Sequence, residues 1–334
     1  MADGIQVPNC DRCDKPSVLF QRYSGRSLCN KHLIDSVHKR FAKELRKQLE
    51  LPKSGGETTI LVAISGGKDS ALLLDRLVRI LGPRKDVKLV AGCVDEGIDG
   101  YRSPSMDCAR QLAENLEIPF ETVSYPELGF ERMDTVVDRL PVIRQNHSET
   151  RGMAPCSFCG VFRRQGLNRL AERVGADVMA LGHNLDDMAQ TVLMNMQKGD
   201  LERTLRLAPH TDAPLEGLAP RIVPMRWIPE QEVHASAMAL GLSFFHDECP
   251  HAPGALRQRN RELVSRLEED VPGSRHGLVH MVDAVKELEK KAKMAGVDDI
   301  RPTLPTPCPI CGSPTSGDIC KACEFTAMVN DAAQ

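Results

Sequence analysis

The sequence has no long apolar run, since none of its hydrophobic stretches approaches the roughly 18 residues that a membrane-spanning helix needs. The N-terminus has charged and polar residues where a signal peptide would be apolar. Aromatic residues make up only 4% of the chain, so base stacking is at most a minor part of nucleic-acid binding. The net charge of −3 indicates no general attraction to nucleic acid, although a local basic patch would suffice. These absences predict a cytoplasmic protein without a membrane partner.

The cysteines indicate metal chemistry. A chain of 334 residues predicts two or three domains, and its 41% hydrophobic content can fill a sizeable core. Twelve cysteines in a cytoplasmic protein are more typical of metal ligands or catalytic thiols than of disulfides. Seven of the twelve fall in short-spaced C-x-x-C or C-x-x-H pairs near the two ends of the chain.

Two terminal clusters have the spacing of tetrahedral zinc sites, C-x2-C-x15-C-x2-H and C-x2-C-x8-C-x2-C. The ligands are Cys10, Cys13, Cys29 and His32 in the first cluster, and Cys308, Cys311, Cys320 and Cys323 in the second. Four ligands close the coordination shell, so we predict two structural zinc ions. Metal binding would supply the folding energy of segments that bury little apolar surface.

A polar hexapeptide, Ser65-Gly66-Gly67-Lys68-Asp69-Ser70, separates a β-branched apolar run from a Leu-rich one. The first run is typical of a buried strand and the second of a helix, which predicts a strand-to-helix turn. Glycines let the backbone approach an anion, helical N–H groups point at it, and Lys68 adds a cation. The loop is not a Walker A motif, because Val62 and Asp69 stand where that motif needs Gly and Ser or Thr. It resembles the PP-loop of ATP-pyrophosphatases, which implies that ATP is cleaved between its α- and β-phosphates.

From residue 57 onward, short apolar runs alternate with helical patterns, which predicts an α/β fold with a doubly wound, mainly parallel sheet. The predicted strands are 60–64, 88–94, 120–124 and 177–181. A nucleotide is expected at the carboxyl ends of these strands.

Polar side chains follow three of the predicted strands. They are the hexapeptide, Asp95 in an Asp-Glu-Gly-Ile run, and Gly182, His183, Asp186 and Asp187 in a Gly-His-Asn-Leu-Asp-Asp run. The last run places carboxylates beside an expected Mg²⁺-polyphosphate. These residues are the predicted ATP-binding set.

Cys156 and Cys159 form a C-x-x-C at the start of a predicted helix. Such a pair serves as a redox disulfide, as half of a zinc site, or as two ligands of an iron–sulfur cluster. The chain ends account for their own metals, so a third ligand must come from elsewhere, and Cys249 is the leading candidate. Cys93 and Cys108 fall within a predicted strand and a predicted helix, and we interpret both as buried small hydrophobic residues.

Five stretches together resemble the tRNA 2-thiouridine synthetases of the TtuA/NcsA group, which include archaeal and eukaryotic cytosolic wobble-uridine thiolases. The stretches are S-G-G-K-D-S, V-D-E-G-I-D-G-Y-R, P-C-S-F-C-G-V-F-R-R, G-H-N-L-D-D-M-A-Q-T-V-L-M-N and D-E-C-P. The likeness covers nearly the whole chain, including both terminal modules. It implies ATP-dependent thiolation of a tRNA uridine by a sulfurtransferase, with Cys156, Cys159 and Cys249 holding a [4Fe–4S] cluster that has one iron free of protein ligand.

The resemblance also implies a mechanism. ATP adenylates the uridine O2, pyrophosphate leaves into the hexapeptide, and sulfur attacks C2. Lys68 and a Mg²⁺ held partly by Asp69 neutralise the phosphates, while Asp187, ahead of Asp186, orients the uridine or a metal. Arg163 stands where the U54-modifying branch of the family usually has a lysine four residues after the second cysteine. The motif therefore favours wobble position 34, with U54 as the alternative.

The sequence leaves several alternatives open. A persulfide on Cys156 or Cys159 could carry the sulfur instead of a cluster, or the chain could be a non-catalytic zinc-bearing RNA-binding protein. Lysine or ammonia transfer onto a base would use the same adenylation but needs no such cysteines. Predicted partners are tRNA and a sulfur donor, either inorganic sulfide or a ubiquitin-like carrier, and a homodimer stays open. The predicted domains are a zinc finger with helix over 1–50, a PP-loop catalytic domain over 57–300 and a zinc ribbon over 301–334.

Arginines provide a candidate basic rim for tRNA phosphates. Arg163, Arg164 and Arg169 follow the central cysteines, Arg203, Arg206, Arg221 and Arg226 lie in later loops, and Arg257, Arg259, Arg261 and Arg266 follow Cys249. We expect about half of them to form surface salt bridges instead, with neighbours such as Glu262, Glu268 and Glu269.

Overall fold

A parallel β-sheet between helices forms the centre of the protein, with a small module at each end of the chain. The structure is a computed structural model that describes residues 7–52, 56–210, 218–297 and 306–333. In chain order the strands are β1 (Leu19–Gln21), β2 (Arg26–Leu28), β3 (Thr58–Ala63), β4 (Val87–Asp95), β5 (Phe120–Ser124), β6 (Val178–Ala180), β7 (Arg221–Ile222), β8 (Thr306–Pro307) and β9 (Pro314–Thr315). The α-helices are α1 (Asn30–Gln48), α2 (Lys68–Leu81), α3 (Arg102–Asn115), α4 (Met133–Asn146), α5 (Pro155–Arg173), α6 (Leu185–Gln197), α7 (Leu201–Leu205), α8 (Glu230–Ala239), α9 (Leu256–Asp270), α10 (Ser274–Met294) and α11 (Lys321–Asp331).

The central sheet has the strand order β5-β4-β3-β6-β7, and each neighbouring pair is parallel. Ile60, Leu61 and Val62 of β3 are completely buried, as expected of a strand covered on both faces. Ile60 and Val62 pack in one apolar cluster with α1, α2, α3 and α8, whereas Leu61 packs in another with α4, α5 and α11. This alternation produces three layers, helices, sheet and helices.

The doubly wound parallel fold predicted from the sequence is confirmed. The four predicted strands correspond to β3, β4, β5 and β6. The edge strand β7 is missing from the sequence prediction, because its two residues are too few for any periodicity to show. Since all five strands are parallel, their carboxyl ends lie along one edge of the sheet, where the predicted polar loops emerge.

Both terminal modules pack against the helical layers. In the N-terminal module, Phe41 of α1 is completely buried in the cluster that contains Ile60, and Tyr23 donates a hydrogen bond of 2.8 Å to Glu232 of α8. In the C-terminal module, the ring of Phe325 on α11 lies 4.2 Å from that of Phe158 on α5, centroid to centroid. The two modules therefore brace opposite faces of the sheet.

The predicted domain boundaries remain predictions. The boundary between 300 and 301 and part of the linker predicted over 51–56 lie outside the described residues. The N-terminal module shares one continuous apolar cluster with the sheet. Within the described ranges, no helix combines the length and the apolar character needed to cross a membrane.

Candidate active site

The hexapeptide forms a tight turn between β3 and α2, as the sequence predicts. Gly66 has a φ of +89°, and a Cβ there would lie 1.9 Å from the carbonyl oxygen of Ser105. Ser70 Oγ accepts a hydrogen bond from the Ser65 amide (3.1 Å) and donates one to the Gly67 carbonyl (2.9 Å). Helix α2 begins at Lys68 with Gly67 as its N-cap. The turn thus presents the first-turn N–H groups of a helix, which have no intrahelical partner, at the carboxyl edge of the sheet.

Lys68 and Asp69 lie at the start of α2 within a network of charges. Lys68 Nζ is 3.0 Å from Asp69 Oδ2 and 2.9 Å from Glu230 Oε1, and the amide of Asn184 donates to Asp69 Oδ1 at 2.8 Å. Burial raises the pKa of Asp69, and the nearby Asp187 carboxylate raises it further, in opposition to Lys68. Burial alone would lower the pKa of Lys68, but Asp69 and Glu230 raise it. A divalent cation between the carboxylates of Asp69 and Asp187 would relieve their repulsion.

Asp186 and Asp187 have different surroundings. The sequence interpretation puts Asp187 ahead of Asp186 as the residue that orients the uridine or a metal. Asp186 accepts from the Glu230 amide (2.7 Å) and pairs with Arg275 (2.7 Å), so both of its oxygens are engaged. Asp187 forms a capping box with Asn184 at the start of α6 and lies 3.3 Å from Arg257. Both oxygens of Asp187 are also engaged, Oδ2 by the Asn184 amide at 3.2 Å and Oδ1 by Arg257 at 3.3 Å, so the preference for Asp187 over Asp186 stays a prediction.

The other predicted ATP-binding residues lie at the same edge with different contacts. Gly182 lies against the first turn of α2, because a Cβ there would be 3.5 Å from Ser70 atoms. His183 follows Gly182 and is exposed. Desolvation by the surrounding protein atoms lowers its pKa, whereas the Asp187 carboxylate raises it. Asp95 at the end of β4 accepts from the Gly97 amide at 2.9 Å and so shapes its own turn.

The three central cysteines come together beside this edge. Cys156 and Cys159 lie in the first turn of α5 and Cys249 in the loop between α8 and α9, with Cys156 exposed and the others half-buried. Burial raises the pKa of Cys249, and the thiolates of Cys159 and Cys156 raise it further; burial and Cys159 do the same for Cys156. Cys156 and Cys249 thus lie close enough to Cys159 for its charge to influence them. Of the other two cysteines, Cys93 is completely buried as predicted, whereas Cys108 is only half-buried on α3.

The central cysteines do not form the compact ligand set of a single ion. Among the described residues, the groups of three or more potential ligands whose atoms all lie within 4.8 Å of one another are the two terminal sets. Thiolates bound to different irons of a cluster are further apart than thiolates on one ion, so a looser arrangement fits a cluster better than a zinc ion.

Cys156, Cys159 and Cys249 form the cysteine centre of the site, and Arg163 is the positively charged residue beside it. Its Nη2 donates to Cys159 Sγ at 3.2 Å, and its Nε lies 2.6 Å from Oε1 of the buried Glu96. Glu96 and then the Cys159 thiolate raise the pKa of Arg163 above its usual range. Tyr125 donates to the Cys159 carbonyl at 2.9 Å from the other side. The first turn of α5 is therefore fixed by a guanidinium and a buried phenol.

A chain of polar contacts through the buried Glu96 and Arg102 joins the cysteine centre to the phosphate loop, Ser65 to Ser70. The guanidinium of Arg102 donates to the Ser65 carbonyl (3.0 Å) and pairs with Glu96 (2.6 Å), which also pairs with Arg163. In the sequence, Glu96 and Arg102 stand out only as part of the V-D-E-G-I-D-G-Y-R motif. Charged residues inside an otherwise apolar strand-end segment are the signal that indicates such a network.

The terminal ligand sets have the geometry that zinc requires. A zinc ion about 2.3 Å from each of four tetrahedral sulfur ligands keeps them about 3.8 Å apart. The observed sulfur–sulfur separations are 3.7 Å for Cys13 and Cys29, 3.5 Å for Cys311 and Cys320, and 3.9 Å for Cys308 and Cys323.

Electrostatics favours one thiolate in each terminal set, whereas burial and the neighbouring thiols raise the pKa of Cys320 and Cys323. Backbone N–H groups, first that of Cys320, lower the pKa of Cys308 to about 6. At Cys10, burial opposes ionisation, but the backbone N–H groups of Cys29 and Arg12 and the side chain of His32 lower the pKa to about 6. Ionised sulfur is the form that binds metal.

Comparisons with known proteins agree with this geometry. A PP-loop domain model matches residues 37–267, and a model of the N-terminal LIM domain of the 2-thiouridine synthetase TtuA matches residues 9–34. The tRNA 2-thiolation protein NcsA of Haloferax volcanii is 37% identical over 96% of this chain and 98% of its own length. The chain belongs to the PP-loop family of tRNA 2-thiolation proteins. The resemblance predicted from the sequence is therefore confirmed, and with it the enzyme class, tRNA sulfurtransferase, at the level of the family.

Other members of the tRNA 2-thiolation family show how widely the likeness extends. The cytoplasmic tRNA 2-thiolation protein 1 of Bos taurus is 35% identical over 98% of this chain and 89% of its own length. The solved structure of the U34-tRNA thiolase NcsA from Methanococcus maripaludis with its [4Fe–4S] cluster superposes with a TM-score of 0.76. It is 29% identical in sequence, and the match covers 97% of this chain and 99% of that one.

In this member of the family, most of the predicted basic rim is paired with carboxylates. The pairs are Arg163 with Glu96, Arg169 with Glu172, Arg203 with Asp200, Arg206 with Glu202, Arg226 with Asp283, Arg257 with Asp187 and Arg261 with Glu230. Of the glutamates expected to take part, Glu268 pairs with Arg275 instead. Within the described residues, Arg164, Arg221, Arg259 and Arg266 have no carboxylate at salt-bridge distance.

Proposed function

We propose that the protein replaces O2 of a tRNA uridine with sulfur in an ATP-dependent reaction, at wobble position 34. The observation that carries this proposal is the continuous contact chain from the phosphate loop through Arg102, Glu96 and Arg163 to Cys159. This contact chain supports the assignment of an ATP-type loop and a sulfur centre to one site. Arg163 and the wobble-type motif around it support position 34, as does the solved relative, whose title names a U34-tRNA thiolase. The expected compartment is the cytoplasm, which the Bos taurus relative's name also gives.

In the first step, the uridine O2 attacks the α-phosphorus of ATP and pyrophosphate leaves. The turn from Ser65 to Ser70 holds the leaving phosphates on its backbone N–H groups. Lys68 supplies positive charge, and Asp69 and Asp187 are the carboxylates for a Mg²⁺, which binds proteins through one or two carboxylates plus substrate phosphates. Stabilisation of charge on the phosphates is the main task of such a site.

In the second step, sulfur adds to C2 of the activated uridine and AMP leaves with the original oxygen. Cys156 and Cys249 lie close enough to Cys159 to feel its charge, and three thiolates fit a [4Fe–4S] cluster with three protein ligands. Such a cluster would supply an iron where a sulfide can be held. Arg163 lowers the cost of gathering thiolates, and the exposed Cys156 marks the side from which tRNA approaches. Inorganic sulfide or a ubiquitin-like carrier would deliver the sulfur.

The ATP half of the proposal is tested with Lys68→Ala and Asp69→Ala. Both variants should lose formation of AMP and pyrophosphate on substrate tRNA, because each removes charge at the phosphates. Lys85→Ala is the matched control, since that exposed lysine precedes β4 at the opposite edge of the sheet. AMP formation at the wild-type rate by the two loop variants would disprove the assignment.

The sulfur half is tested by anaerobic purification of wild-type protein and of Cys156→Ser, Cys159→Ser and Cys249→Ser. Wild-type protein should contain about four irons per chain in the cluster, and each variant should lose iron and thiolation while zinc stays unchanged. Cys108→Ser is the control, since Cys108 lies outside the site. Iron-free protein that still thiolates tRNA would support a persulfide instead.

Mass spectrometry of tRNA from a deletion strain decides the position. Loss of 2-thiouridine at position 34 is expected, and loss at position 54 alone would overturn that part of the proposal. A chain that binds tRNA but forms neither AMP nor 2-thiouridine would be a non-catalytic RNA-binding protein.

A further inference from the structure

Arg164 and Arg221 differ from the paired arginines around the site. Arg164 Nε donates to the carbonyl of Gly160 at 3.0 Å, and Arg221 Nη2 donates to Oδ1 of Asn168 at 2.8 Å. Both acceptors are neutral, and within the described residues neither arginine has a carboxylate at salt-bridge distance. Their hydrogen bonds fix the two guanidinium groups but leave their charges without a counterion.

The two arginines converge on one face of α5. Arg164 and Asn168 are one helical turn apart and therefore lie on the same face. Arg221, on the edge strand β7, reaches that face through its contact with Asn168. Cys156 and Gly160 precede Arg164 at the same four-residue spacing, so a single ridge of the helix runs from the cysteine centre to the arginine pair. At 1.5 Å per residue, Cys156 and Arg164 are about 12 Å apart along the helix axis.

The electrostatics of this face favours an anion. Arg164 is exposed, yet the protein atoms around its guanidinium lower its pKa, and the charge of Arg203 lowers it further. Burial and the charge of Arg164 do the same for Arg221. Like charges held close together repel each other, and a bound anion relieves that repulsion.

We infer that Arg164 and Arg221 bind one backbone phosphate of the substrate RNA close to the uridine that is thiolated. The inference rests on the proposed function, since it takes tRNA as the ligand, and it adds the residues that hold the backbone. Two planar guanidinium forks match the oxygens of a phosphodiester. The phosphates of ATP belong elsewhere, because β6 separates β7 from the strand that leads into the phosphate loop. Neighbouring strands are about 4.8 Å apart, so β3 and β7, with β6 between them, are separated by about 9.6 Å and the two anion sites are distinct.

Gly160 gives this RNA a path from the arginines to the cysteines. A Cβ at Gly160 would meet no protein atom within 4 Å, so packing does not explain the glycine. In a helix, glycine costs about 0.5–1 kcal/mol relative to alanine. A ligand that passes close to the backbone of α5 accounts for a residue that the fold itself does not need.

The test is a salt titration of tRNA binding, with fluorescently labelled tRNA transcript as the probe. Arg164→Gln and Arg221→Gln should each weaken binding roughly tenfold at low salt, as expected for the loss of a charge-assisted contact. Each should also reduce the slope of log K against log salt by about 0.7–0.9, the value for one lost phosphate contact. Arg206→Gln is the matched control, because its guanidinium is paired with Glu202 one helical turn away. An unchanged slope in both variants, with wild-type melting temperature, would overturn the inference.

Two further measurements separate the possible outcomes. If the variants lose affinity for pyrophosphate in calorimetry but keep the wild-type tRNA slope, the pair serves a free anion and the RNA assignment is wrong. Thiolation by wild-type protein tests the proposed function independently. An enzyme that thiolates tRNA while both variants bind it normally would leave that function standing and reject only this site.

The path over Gly160 has its own test. Gly160→Leu should keep or raise the melting temperature, keep the wild-type iron content and weaken tRNA binding. Unchanged tRNA affinity would reject the path, and so would loss of iron, because the open space would then belong to the cysteine centre.

Discussion

Arg163 and Glu96 form the central ion pair of the site, with Nε of the arginine 2.6 Å from Oε1 of a glutamate that is 2% exposed. The pair directs another nitrogen of Arg163 to Cys159 Sγ at 3.2 Å. Glu96 is itself shared with Arg102, which binds the carbonyl of Ser65. One buried carboxylate therefore sets the positions of two guanidinium groups, one at the sulfur centre and one at the phosphate loop.

Arg163→Lys should lower the rate of thiolation by roughly 10- to 100-fold while AMP formation on tRNA stays within about twofold of wild type. A lysine has no planar fork, so it cannot bind Glu96 and Cys159 together. Single-turnover assays of AMP and of 2-thiouridine on the same sample separate the two steps. Equal loss of both products would show that Arg163 serves adenylation instead.

Arg110→Lys is the control for this exchange. Arg110 lies over the ring of Phe120, which begins β5 at the edge of the sheet opposite the site, with its guanidinium carbon 4.9 Å from the ring centroid. Both rates should stay at the wild-type level in that variant.

Gly66→Ala should abolish ATP use and destabilise the protein by about 1–3 kcal/mol, the range for a strained backbone residue. The conformation at φ +89° disfavours any Cβ, and the added atom would lie 1.9 Å from the backbone oxygen of Ser105, which cannot move alone. Denaturant titration gives the stability and AMP formation gives the activity.

Gly67→Ala is the matched control in the same loop. Its Cβ would meet only Ser65 Oγ, at 3.6 Å, so the change in stability should stay below about 1 kcal/mol. Similar destabilisation by both variants would mean that the left-handed turn at Gly66 is not what holds the loop.

The sequence predicts the sheet and the ligand types well, because strands, glycine turns and paired cysteines are local patterns. Residues 60–64 show a buried strand by themselves, and the terminal ligands are close in sequence. Glu96, Tyr125 and Glu230 are different, because their roles depend on contacts with Arg163, Cys159 and Lys68 that only the fold creates. The sequence likewise does not distinguish Arg164 on α5 from Arg206 just after α7, because it does not show that Arg206 pairs with Glu202.

Acid should destabilise the protein partly through His276 on α10. Burial lowers the pKa of His276 from 6.5 to about 4, and its ring lies between Tyr23 (4.6 Å) and Trp227 (6.3 Å), centroid to centroid. A histidine that stays neutral in the folded state binds a proton earlier in the unfolded state, so stability falls as pH drops from 6.5 towards 4. Below that interval both states are protonated and the loss is complete.

The neutral His276 should contribute about 2 kcal/mol to the free energy of unfolding at pH 7. This is less than the full pKa difference would give, because the ring is only half-buried. The free energy of unfolding, measured by denaturant titration, should fall less between pH 7 and pH 4 for His276→Phe than for wild type. Identical pH profiles of the two proteins would assign the acid sensitivity to other groups.

The C-terminal module should control the cysteine centre through the aromatic ring of Phe325. Phe325, 4% exposed, packs on Phe158, which lies between Cys156 and Cys159 in the first turn of α5. Phe325→Ala should cost about 3–5 kcal/mol and leave a cavity beneath that turn. We expect anaerobically reconstituted variant protein to hold less iron per chain, whereas ATP binding should persist, because α2 packs on the opposite face of the sheet.

The control for Phe325 is Ile310→Ala, since Ile310 lies in the same module but is 67% exposed. Its iron content and stability should match those of wild type. Phe325→Leu should restore most of the iron, because a large apolar side chain refills the space under α5. If Phe325→Ala proves destabilised yet binds iron and thiolates tRNA like wild type, the module braces the fold without positioning the cysteines, and the contact with Phe158 has no part in the sulfur chemistry.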